Sequence, residues 1–275
     1  MRLGQRQQGL PLRLSSALPL FIPAAAGVAY LGFFGAPFSY VIINAASLGA
    51  GLALIALLPF SGSRALRLAI AALLICLLAA PPLVGQSVVG VARWISVGGL
   101  TLHVGFVAAP LLVRIVATEP GLGPWIALLA MLAAFTQPDF ATCLALAFGV
   151  FALAICHKNG AMGAVFCLGL AASIGASFAA NPPPQPFVER ILPELWLVSP
   201  WAVCGLILAL MGGAVTLLIT GVVKAPTRWA LLATMAGFFA AAGLGDYPYP
   251  LIGYGASSVL GLALALLAPA DDNGR

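Results

Sequence analysis

The chain is a succession of apolar runs, most of roughly 17–22 residues, parted by short polar knots, and this pattern leaves little freedom in what it can fold into. A helix rising 1.5 Å per residue needs about 20 apolar residues to cross ~30 Å of hydrocarbon. Only 7% of the 275 residues are charged, against roughly 25% in an ordinary soluble domain, and the mean hydropathy is +1.10. A water-soluble fold is excluded. The expected architecture is an all-α, polytopic transmembrane bundle in one integral-membrane domain over 1–275. It has a cytoplasmic tail over 1–17, a membrane bundle over 18–268 and a second tail over 269–275.

About ten spans are expected, at roughly 18–34, 38–59, 66–84, 103–117, 124–136, 140–156, 161–180, 200–222, 229–244 and 251–268. Ten crossings bring both termini to one side. With that count, ten of the twelve basic residues fall on one face, leaving Arg93 and Arg190 on the other. The basic face is therefore cytoplasmic. Dropping one span would scramble every later charge, so the segregation supports the count. Trp94, Trp125, Trp196, Trp201 and Trp229 sit near span ends, where an indole buries its ring and hydrates its N–H. No cleaved signal, linker, second domain or internal repeat is apparent.

The net charge of +5 comes from basic residues scattered singly, without aromatic interleaving, which excludes nucleic acid as a partner. Cys76, Cys143, Cys156, Cys167 and Cys204 lie inside apolar runs and form no CxxC, so neither a disulfide framework nor a metal site is expected.

The expected outer face carries a short list of polar groups: Arg93, His103, Gln137, Asp139, Glu189, Arg190, Glu194 and Asp246. Ionisable groups at membrane depth are costly, about 2.5–3.5 kcal/mol each, and those present tend to line cavities or pair. Arg93 and Trp94 lie in a glycine-rich loop over 86–102, suited either to anchoring at the interface or to holding a phosphate bidentately. Asp139, after Pro138 and before an apolar run, fits a helix N-cap, a role compatible with binding at a cavity mouth. The proline run over 182–186 is stiff and extended, and Glu189 with Arg190 reads equally as a solvated pair. Small residues around Tyr254, Ser257 and Ser258 serve close helix packing or line a ligand site.

Three stretches resemble the SEDS family (shape, elongation, division and sporulation proteins, typified by FtsW and RodA). Arg93-Trp94-Ile95-x-x-Gly98-x-Leu100 resembles the family's R-W-I-x-x-G-x-L. Gln137-Pro138-Asp139-Phe140-Ala141-Thr142 resembles its Q-P-D-L-G-T. Pro248-x-Pro250-x-x-x-Tyr254-Gly255-x-Ser257-Ser258 resembles its P-L-P-F-x-S-Y-G-G-S-S.

The resemblance implies ten spans in the bacterial inner (cytoplasmic) membrane and a role in cell-wall synthesis, division or shape. The implied substrate is a lipid-linked peptidoglycan precursor, bound by Arg93, Trp94, Asp139, Thr142, Tyr254, Ser257 and Ser258. The implied partners, besides membrane lipid, are a class B penicillin-binding protein or other division and elongation proteins. No cofactor is identified, although a divalent cation would suit the pyrophosphate chemistry. The chain also departs from the family. Where a typical member reads Q-P-S-E-x-x-K, this chain has His103-Val104-Gly105-Phe106, with Ala109 at the lysine. Leu192-Pro193-Glu194 survives from the family's L-P-E-x-H-T-D-F, but Val198 stands at the Asp expected to be catalytic. The expectation is a shortened, partly degenerate member. The alternatives are an active glycosyltransferase with a relocated carboxylate base, for which Glu194 is the first candidate, and an unrelated transporter.

Overall fold

A computed structural model describes residues 3–58, 63–88, 90–179, 182–221 and 223–267. Helices α1 (Leu3–Phe33), α2 (Phe38–Leu57), α3 (Arg64–Ala79) and the short α4 (Pro81–Val84) lead into strands β1 (Gln86–Val88), β2 (Val91–Val97) and β3 (Leu100–His103). Then come α5 (Val104–Thr118), α6 (Gly123–Thr136), α7 (Phe140–His157) and α8 (Gly160–Ser177). The chain closes with α9 (Ile191–Val198), α10 (Pro200–Ile219), α11 (Ala225–Leu244) and α12 (Ala256–Ala265).

Each of the ten apolar runs contains a helix. Among the described residues, six of these are long and apolar enough to cross a membrane: Ser15–Phe33, α2, α7, α8, α10 and α11. The protein is a multi-pass membrane protein. The other four are shorter, with 16 residues in α3, 15 in α5, 14 in α6 and 10 in α12. The third run breaks at Pro81 and Pro82, where missing N–H groups interrupt the helical ladder. The tenth, expected from 251, turns helical only at Ala256 because Leu251 and Gly255 hold positive φ angles of 68° and 145°. Helix α1 already begins at Leu3, inside the expected tail, and the tail expected over 269–275 lies outside the described residues.

The expectation of an all-α chain needs correction over 86–103. The described residues of this stretch include a three-stranded antiparallel sheet in the order β1-β2-β3. Val97 pairs with Leu100 across a two-residue turn in which Gly98 and Gly99 have φ of 57° and 82°. Positive φ at both central positions makes the tight hairpin turn that glycine adopts without steric cost. In register, Trp94 faces His103, so the strand bearing the first motif is tied to the residue that opens α5.

Helix α5 is the centre of the bundle, buried along nearly its whole length among α3, α6, α7, α11 and α12. Around it, α7 packs along α8 and α11, and α1 packs along α2 and α10. Leu168, Ile174, Leu208 and Met211 point outward as an apolar surface suited to lipid. At the far end of α5, Arg114 donates from Nη1 to the carbonyls of Ala265 (2.8 Å) and Leu267 (2.6 Å), satisfying the C-terminal oxygens of α12. Glu119 accepts there from Arg64 (2.9 Å) and Arg67 (2.7 Å). The three motifs gather at the opposite end.

Candidate functional site

Strand β2 alternates in and out, and this alternation turns Val91 and Arg93 inward. Arg93 is only 2% exposed. A guanidinium at such depth needs partners. Its Nη2 donates to the Pro138 carbonyl at 2.7 Å, and its Cζ lies 4.9 Å from the centre of the Tyr247 ring. The first motif is thus fastened to the second through the proline carbonyl and, through an aromatic face, to Tyr247 immediately before the third.

Asp139 caps α7, accepting from the Thr142 amide (3.1 Å) and the Thr142 hydroxyl (2.5 Å). It is fully buried, with His103 Nε2 at 3.6 Å from Oδ2. The neighbouring Gln137 donates from Nε2 to the Leu78 carbonyl, binding this hinge to the end of α3.

The third motif is irregular backbone, tolerated inside a membrane bundle where protein groups satisfy it. Asn44 on α2 donates from Nδ2 to the Gly253 carbonyl (2.9 Å), and its Oδ1 accepts from the Gly255 amide (3.0 Å). Ser258 Oγ accepts from the Leu251 amide (3.0 Å), and Ser257 Oγ accepts from the His103 amide (2.8 Å). Tyr254 stacks on Tyr40, with ring centres 3.6 Å apart and planes inclined by 9°.

The segment over 187–190 closes the site. Its carbonyls at Val188 and Phe187 accept from the amides of Tyr249 (3.2 Å) and Tyr254 (2.7 Å), and Arg190 Nε lies 2.6 Å from Asp246 Oδ1. Phe187 and Arg190, with φ of 65° and 55°, bracket Glu189 in left-handed backbone that costs energy for non-glycine residues. Glu189 Oε2 accepts from the Gln185 amide at 2.8 Å. Burial pushes the Glu189 carboxyl up to about 7, with the Asp246 charge adding to the rise and hydrogen bonds from backbone amides opposing it.

These segments enclose a cavity of about 300 Å³. Arg93 and Trp94 line it from the sheet, His103 from the mouth of α5, Glu189 from the closing turn, Asp246 from the loop after α11, and Tyr254, Ser257 and Ser258 from the last motif. Among the described residues no group of three or more His, Cys, Asp or Glu side chains is placed to hold a metal ion.

No family model matches the sequence, and no curated protein does. Solved structures do. The rod shape determining protein RodA of Thermus thermophilus superposes with a TM-score of 0.63 at 20% identity, over 91% of this chain and 93% of that one. The chain has the RodA fold. A mutant of the same RodA superposes with a TM-score of 0.65 at 20% identity, over the same shares of the two chains. A chain from a peptidoglycan synthase complex that coordinates polymerization and crosslinking matches with a TM-score of 0.55 at 20% identity, over 90% of this chain and 96% of that one.

Within this RodA fold, five of the expected binding residues, Arg93, Trp94, Tyr254, Ser257 and Ser258, line one cavity. Asp139 and Thr142 stand behind it as a buried capping pair. Glu194, the first candidate for a catalytic base, is exposed on α9 and is not part of the cavity wall. The carboxylates that line the cavity are Glu189 and Asp246. Tyr247 and Asn44 were not singled out from sequence. A lone amide at position 44 within an apolar run was the available signal, because such a group must find partners inside the bundle.

Proposed function

We propose that this chain is a SEDS-family protein of bacterial cell-wall synthesis and that its cavity receives the headgroup of the lipid-linked peptidoglycan precursor. The observation that carries this reading is the convergence, in a RodA fold, of the first and third motifs on one cavity whose buried arginine is anchored by the Pro138 carbonyl of the second. Arg93 is held in place before any ligand arrives, so its charge is preorganised for a pyrophosphate. Trp94 and Tyr254 offer aromatic surface to a sugar ring, and about 300 Å³ is within the range of small-molecule sites.

In this reading ten helices cross the bacterial cytoplasmic membrane, both termini are cytoplasmic, and the cavity opens to the outer leaflet. The short helices α3, α5, α6 and α12 cross with help from the irregular segments that flank them. A class B penicillin-binding protein is the fitting partner, and a divalent cation could accompany the pyrophosphate. Val198, exposed at the end of α9, cannot supply the carboxylate of the family's expected catalytic Asp, so the first activity assigned is binding and organising the precursor.

The experiment is saturable binding of purified precursor to the detergent-solubilised protein, comparing wild type with Arg93→Ala. The expected result is saturable binding weakened at least about tenfold by the substitution, since charged hydrogen bonds contribute roughly 1.5–3 kcal/mol. Absence of saturable binding to wild type, or equal binding by the two proteins, overturns the reading.

A further inference from the structure

We infer that Glu189 is a general base in the cavity, taking the proton from an attacking sugar hydroxyl, so that the carboxylate lost at Val198 is replaced from a different turn of the chain. This rests on the proposed precursor-binding reading of the cavity. The sequence contains seven acidic residues, and the structure separates them by position. Asp271 and Asp272 lie outside the described residues. Glu119 is held by Arg64 and Arg67 at the end of α5 remote from the motifs. Asp139 is fully buried, with both oxygens engaged by Thr142. Glu194 is exposed and does not line the cavity. Asp246 does line it, but its Oδ1 is engaged by Arg190 Nε at 2.6 Å.

Glu189 remains. It shares the cavity with Arg93, the Gln185 amide fixes one carboxylate oxygen, and two left-handed residues and two backbone hydrogen bonds from the last motif set its turn. Burial gives the carboxyl a proton affinity matched to neutral pH, as a general base requires. The charged and titratable groups around the same cavity are Arg93 on β2, His103 at the end of β3, and Asp246, Tyr247, Tyr249 and Tyr254 in the last loop.

The step is balanced. The acceptor hydroxyl oxygen bonds to the anomeric carbon of the donor, and the bond from that carbon to the lipid pyrophosphate breaks with its electron pair going to the phosphate oxygen. The hydroxyl proton passes to the Glu189 carboxylate and then to water, while Arg93 faces the charge on the departing pyrophosphate.

The test measures glycan strands and precursor binding for wild type, Glu189→Gln and Glu194→Gln, using the purified lipid-linked disaccharide precursor from pH 5.5 to 8.5. The inference expects strands from wild type with a rate rising through about pH 7. It expects a loss of about 100-fold or more in Glu189→Gln with precursor binding retained, and strands from Glu194→Gln. Strands from Glu189→Gln at the wild-type rate, or a loss confined to Glu194→Gln, overturn it. So does a wild type that binds precursor and makes no strands, which leaves the binding reading standing. A wild type that does not bind precursor overturns both.

Discussion

Gly105 at the start of α5 lies against Thr142 so closely that a Cβ on residue 105 would fall 1.7 Å from the Thr142 hydroxyl oxygen. That hydroxyl donates to Asp139, so the absence of one methyl group on α5 maintains the capping pair of α7. Gly105→Ala is expected to expel the threonine side chain and weaken the cap. Overpacking and cap loss together amount to roughly 1–3 kcal/mol. A lower midpoint of thermal unfolding in detergent checks this, and Gly105→Ala with Thr142→Ser should recover little, because the clashing oxygen stays in place. An unchanged midpoint for the single variant would show that α5 and α7 can move apart freely.

Asn44 presents a different dependence. Its amide satisfies one carbonyl and one amide of the turn bearing Tyr254 and the two cavity serines. Asn44→Leu keeps the branched outline of the side chain and leaves both turn groups buried without that partner, at about 1–3 kcal/mol each. We expect faster proteolysis within 247–255 and weaker precursor binding, measured at a temperature where the variant remains folded. Asn44→Asp should fall between wild type and Asn44→Leu, because a carboxylate still accepts from Gly255 but cannot donate to Gly253.

The bundle was legible in the sequence for a plain reason: ten apolar runs have no environment other than lipid or one another, and all ten contain helices. That Arg93, Trp94, Tyr254, Ser257 and Ser258 share one cavity wall was legible through the first and third motifs that carry the family resemblance. Three features were not. The sheet over 86–103 was hidden because its strands are three to seven residues long and its two-glycine turn reads equally as a flexible loop. The late start of α12 depends on Leu251, whose φ of 68° no propensity for leucine anticipates. The choice among carboxylates depends on which face of a short segment meets the cavity, and a turn set by left-handed Phe187 and Arg190 carries no periodicity from which to infer that face.

Glu119 links the N-terminus of α3 to the end of α5 at the basic end of the bundle. The hydrogen bond from Arg67, ahead of that from Arg64, holds its carboxyl below the usual carboxylate range. A depressed folded-state value means that its stabilising contribution is present above the unfolded value near 4.5 and is lost as pH falls through the folded value. Glu119→Gln should therefore lower the thermal midpoint at pH 7 and differ less from wild type as pH falls below about 4.5. The effect at pH 7 should be modest, about 1 kcal/mol or less, and should shrink in high salt because Arg64 is largely exposed. A difference that persists unchanged at pH 3 would assign the loss to packing.

Glu189 has the opposite sign. Burial raises its carboxyl to about 7, above the ordinary carboxylate value of 4.5. The folded state therefore binds the proton more tightly than the unfolded chain, and this contribution is complete below about 4.5 and is lost as pH rises through about 7. At pH 8 the folded protein holds a charge in a cavity that disfavours it. Glu189→Gln removes the ionisation and keeps nearly the same shape, so it should unfold at a higher temperature than wild type at pH 8 and at nearly the same temperature at pH 4. Catalytic groups that are held out of their preferred ionisation commonly lower stability in this way. A Gln variant less stable than wild type at pH 8 would mean that the carboxylate is stabilised by its surroundings, and it could not then act as a base tuned to neutral pH.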